Sequence, residues 1–64
     1  MTLDRHLEKM INAFAERTAN RTGLEKEESI VQDLLWIKDN CEKEELEPSS
    51  YIKHYWAVYE EAKR

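Results

Sequence analysis

The chain predicts an all-α fold, a small bundle of three helices. Apolar residues recur at helical spacing along most of its 64 residues, only Gly23 and Pro48 interrupt them, and no stretch alternates like a strand. Glu, Lys, Leu and Ala are plentiful, which favours helix throughout. The two breakers divide the chain into three pieces, expected to run up, down and up. The first two form an antiparallel hairpin and the third packs across it, all within one domain spanning residues 1–64.

The first helix carries Leu3, Leu7, Met10, Ile11, Phe14 and Ala15, which at 100° per residue occupy an arc of about 140°. Asp4 or Thr2 suits its N-cap. Arg21 falls back inside the apolar arc, and Gly23 followed by Leu24 fits a Schellman stop, so the helix should end near residues 20–22. Thr22 and Glu25 also match the S/T-x-x-E capping box, which implies a very short connection.

The second helix is expected over residues 25–45, with Ile30, Val31, Leu34, Leu35, Ile37 and Cys41 in a core-facing arc of about 160°. Trp36 then points about 180° away from the centre of that arc. Pro48 disfavours helix at Glu47, and Ser49 or Ser50 offers the next N-cap. The third helix gathers Tyr51, Ile52, Tyr55, Trp56, Val58, Tyr59 and Ala62 on one side.

A chain of this length buries a small share of its surface, so it needs a disulfide, a metal or self-association for robust stability. Cys41 is the single cysteine and no Cys/His spacing suggests zinc, which leaves self-association and predicts a homodimer. Residues 1–7 carry Asp4, Arg5 and His6 where a secretory signal needs an unbroken apolar run, and no later stretch suits a membrane span. A cytoplasmic location without membrane contact is the expectation, with which a lone thiol agrees.

Charge is unevenly placed. Residues 1–22 hold four basic and three acidic side chains, residues 23–48 three and nine, and residues 49–64 three and two, for a net charge of −4. An acidic middle helix disfavours direct nucleic-acid binding, because phosphates need a basic surface. A helix-turn-helix reader is disfavoured too, since Glu60 and Glu61 stand on the outward side of the third helix.

The acidic run Glu42, Glu44, Glu45 and Glu47 lacks the alternating ligands and turn glycine of a calcium loop and reads as a solvated face. His6 and His54 have no partner at catalytic spacing and are expected at the surface, while Cys41 is expected as a packed thiol. No cofactor, small-molecule substrate or enzymatic activity is implied by these patterns.

What remains is a protein-binding role, that of a small acidic regulatory or adaptor module. A tryptophan standing off its helix's core stripe resembles an interface anchor, and Ser29, Gln32, Asp33, Asp39, Asn40 and Lys43 on the same side would form its polar rim. Tyr51 and Trp56, at the edges of the third helix's apolar side, would extend the contact surface. The alternative is an inhibitor whose acidic helix occupies a nucleic-acid-binding surface on a target protein.

Overall fold

Asp4 opens the first helix. Its carboxylate accepts hydrogen bonds from the backbone N–H groups of His6, at 2.9 Å, and Leu7, at 3.1 Å, satisfying two of the donors that a helix start leaves free. The computed structural model describes residues 4–64, so Leu3 and the alternative cap Thr2 lie outside the described residues. Three helices follow in order: α1 (Arg5–Ala19), α2 (Gly23–Lys43) and α3 (Pro48–Lys63). They form the three-helix bundle expected of the sequence, with α3 packed most extensively against α1.

In α1, Leu7, Ile11, Ala15, Thr18 and Ala19 turn inward. Ala15 and Ala19 are small, and they leave room for the large rings of α3 in the shared core. The chain then turns through Asn20, Arg21 and Thr22 and re-enters helix at Gly23, whose φ of 61° belongs to the left-handed region that glycine tolerates. The anticipated capping box is not formed. Thr22 makes no side-chain cap bond, and Glu25 is engaged instead by Arg21, at 3.2 Å.

The end of α2 is a Schellman motif built without glycine. Glu45 takes φ 57°, its N–H donates to Glu42 O at 3.2 Å, and the N–H of Leu46 donates to Cys41 O at 2.7 Å. Two residues later Pro48 sits at the first position of α3, where its missing N–H costs nothing. Neither Ser49 nor Ser50 is therefore the cap: both lie inside the helix, and Glu47 precedes it.

On α3 the buried stripe is Tyr51, Tyr55 and Tyr59, spaced four apart. The rings of Tyr55 and Tyr59 lie 6.5 Å apart and nearly parallel, and Lys26 of α2 places its ammonium 5.2 Å from the Tyr59 centroid. His54, expected free at the surface, is half-buried, and its Nε2 sits 2.6 Å from Asn12 Oδ1, tying α3 to α1.

The orientation of α2 departs from the expected one. Its buried residues are Asp33, Ile37 and Cys41, while Val31 and Leu35, counted with the core above, are exposed. At 100° per residue the centre of the buried side is displaced by about 80° from the apolar arc, because a carboxylate occupies the inside of the helix.

Candidate docking surface on the second helix

Asp33 determines which way α2 faces. Its Oδ2 accepts two hydrogen bonds, from the Tyr55 hydroxyl at 2.7 Å and from Thr18 Oγ1 at 2.6 Å, so a single carboxylate oxygen joins all three helices. Both lengths are those of strong hydroxyl-to-carboxylate bonds. Tyr55 is fully buried, and burial followed by its bond to Asp33 raises the phenol pKa well above its ordinary value. Among the described residues no buried side-chain nitrogen or oxygen lacks a partner, so the polar centre of this core is satisfied.

With Asp33 fixed inward, Ile37 and Cys41 follow it four and eight residues later into the core. Burial, then the charge of Glu47, raises the Cys41 thiol pKa, which leaves a packed and unreactive group. The same rotation presents Leu24, Val31 and Leu35 to solvent, with 75%, 55% and 57% of their surfaces exposed. These three fall within about 40° of one another on the helix, directly opposite Asp33. Covering what remains exposed of each is worth about 1–2 kcal/mol, a gain that the fold leaves unrealised.

The residues singled out in the sequence surround this stripe unevenly. Trp36 does not oppose the core: it is half-buried at its edge, its ring meeting Phe14 edge-to-face at 4.9 Å, with the Arg17 guanidinium 5.6 Å from the Phe14 centroid on the other helix. Asp33 is no rim residue at all, being 8% exposed and held by Thr18 and Tyr55. Ser29 is half-buried and accepts from Arg21 at 3.0 Å. Asn40, also half-buried, donates to the Trp36 carbonyl at 2.9 Å. Gln32, Asp39 and Lys43 are exposed, and the last two pair at 3.3 Å.

Between α1 and α2 the surface is grooved. Arg17, Gln32 and Asp33 border two adjoining hollows of about 550 and 450 Å³, one reaching Val31 and Ser29, the other Leu35 and Trp36. Arg17, Gln32, Leu35 and Trp36 are thus brought together, although Leu35 was expected inside.

The proposed second patch is not formed as expected. Tyr51 is buried, and its hydroxyl accepts the backbone N–H of Asp4 at 2.9 Å, holding α3 against the start of α1. Trp56 remains half-buried, packed edge-to-face on Tyr55 at 5.2 Å and Tyr59 at 5.3 Å.

Among the described residues no three His, Cys, Asp or Glu side chains converge as metal ligands, and no helix is long and apolar enough to cross a membrane. Among the described residues, the large apolar side chains left exposed by the fold, Leu24, Val31 and Leu35, all lie on the outward side of α2. In comparisons with known proteins, the chain matches no family model, no curated protein and no solved structure.

Proposed function

We propose that this protein is a small protein–protein interaction module, regulatory or adaptor in character, that docks its partner on the outward side of α2. One observation carries the reading: Leu24, Val31 and Leu35 form an exposed apolar stripe on a helix anchored from behind by Asp33. An apolar strip bordered by polar residues is the anatomy of a protein contact, and here Gln32, Asp39 and Lys43 supply the border on one side. Trp36 lies beside that border, packed edge-to-face on Phe14.

The exposed carboxylates Glu25, Glu27, Glu28, Asp39 and Glu42 favour a second reading, in which the helix occupies the basic surface of a nucleic-acid-binding protein. Such a complex loosens steeply as salt rises, whereas one seated on the apolar stripe does not.

A photoreactive residue replacing Leu35 in the full chain, compared with one replacing exposed Lys53 on α3, tests the docking role in cells that express the protein. The expected result is a discrete adduct from position 35 that persists in high salt, and none from position 53. Equal or absent adducts at the two positions would remove the reading, and a position-35 adduct lost in high salt would favour the inhibitor.

A further inference from the structure

We infer that the outward side of α2 is occupied by a second copy of the chain, docked antiparallel so that the two α2 helices meet about a two-fold axis level with Asp33. The inference rests on the docking role proposed for this face and names its partner.

The argument is charge and register. Leu24, Glu28, Val31, Leu35, Lys38 and Glu42 are spaced alternately four and three apart, the spacing of a helix–helix seam, and all six are exposed. Val31 and Leu35 each lie two residues from Asp33, Glu28 and Lys38 each five, and Leu24 and Glu42 each nine. Reversing the helix about that level therefore lays Val31 on Leu35 twice and Glu28 on Lys38 twice at the centre, with Leu24 beside Glu42 at each end, one self-complementary contact of the kind a two-fold dimer requires.

Other pairings lose this match. A parallel pair in register sets Glu28 against Glu28 and Lys38 against Lys38. An antiparallel pair displaced by one heptad sets Leu24 against Leu35 but Glu28 against Val31, and both Glu28–Lys38 pairs are lost. Charged residues at otherwise apolar seam positions are a common means of choosing orientation and register at some cost in stability.

The flanks tolerate the approach. Glu25 and Asp39, which come near each other across the axis, are already paired within their own chain to Arg21 and Lys43. Gln32, beside the axis, is uncharged and exposed. Opposing the contact is the net charge of −4 on each copy. That repulsion is diffuse and is screened over about 8 Å at physiological ionic strength. The contact also supplies the self-association that a chain of this length otherwise lacks.

Sedimentation equilibrium at physiological salt tests this on four samples of the full chain: wild type, Glu28→Lys, Lys38→Glu, and the two variants mixed. Each variant alone faces two like-charge pairs in its own dimer, so its Kd should rise about tenfold or more, the scale set by two surface ion pairs replaced by repulsions. The mixture restores both pairs and should dimerise about as well as wild type. Circular dichroism verifies that both exposed substitutions leave the helices intact.

Variants that dimerise like wild type, or a mixture that fails to recover, would overturn the pairing. A wild type that stays monomeric at every accessible concentration would also overturn it. In that last case an adduct of foreign mass from position 35 preserves the docking role, while no adduct removes both.

Discussion

Replacing Tyr55 with Phe removes one hydroxyl and almost no volume, so it isolates the bond that orients α2. In the native protein that hydroxyl donates to Asp33 Oδ2 at 2.7 Å inside the core. A hydrogen bond to a charged acceptor contributes about 1.5–3 kcal/mol, and phenylalanine leaves no cavity, so the expected loss is about 2 kcal/mol. Asp33 keeps its bond from Thr18, which prevents complete abandonment of the carboxylate. A domain this small has a total stability of about 3–10 kcal/mol, and the loss should lower Tm by roughly 8–16 °C. Urea unfolding followed by circular dichroism at a fixed protein concentration reads the change. The triple replacement Thr18→Val, Asp33→Leu and Tyr55→Phe should recover most of it, because removing every member of a buried polar group is far less harmful than removing one. A Tyr55→Phe cost below about 0.5 kcal/mol would refute the claim that this bond holds the helix in place.

Three further outcomes are expected. Glu45→Gly relieves a side chain held at φ 57°, and the urea midpoint should report a gain of about 1 kcal/mol. Trp36→Ala removes an edge-to-face contact with Phe14 and half-buried surface, so it should cost about 2 kcal/mol, whereas Leu35→Glu should leave the urea midpoint of the monomer nearly unchanged. Burial raises the pKa of both Cys41 and Tyr55, so each binds its proton more tightly folded than unfolded. Their contribution is complete below the ordinary values of 9.0 and 10.0 and is lost as pH climbs towards the folded ones. A urea midpoint that declines through about pH 9 to 11 is the expected profile.

The helices and the face of α1 were legible because they rest on local periodicity and on two breakers, which nothing in the tertiary structure opposes. Packed Cys41 was legible for the same reason. The turn of α2 was not. An apolar arc through Ile30, Val31, Leu34 and Leu35 is the best hydrophobic solution for that helix alone, and a carboxylate is seldom buried. The two hydroxyls that make Asp33 acceptable inside belong to Thr18 and Tyr55, 15 and 22 residues away in sequence, so no local pattern announces them. Trp36, expected opposite the core, lies at its edge against Phe14, whereas Val31 and Leu35 of the expected apolar arc face solvent. Leu24 did carry a usable signal, since it shares their side of the helix and was assigned only to a helix stop. Tyr51, expected at the edge of a contact surface, is buried, and no local pattern announces the partner of its hydroxyl, a backbone N–H at Asp4, 47 residues distant.

The most direct test of the account is an isotope-filtered NOE measurement on a mixture of methyl-labelled and unlabelled chains at concentrations well above the dimer Kd. The account predicts cross-chain contacts between the Val31 and Leu35 methyl groups, and Tyr55 ring contacts confined to one chain. Methyl groups of Val31 and Leu35 that contact the core of their own chain would contradict both the orientation of α2 and the docking surface built on it.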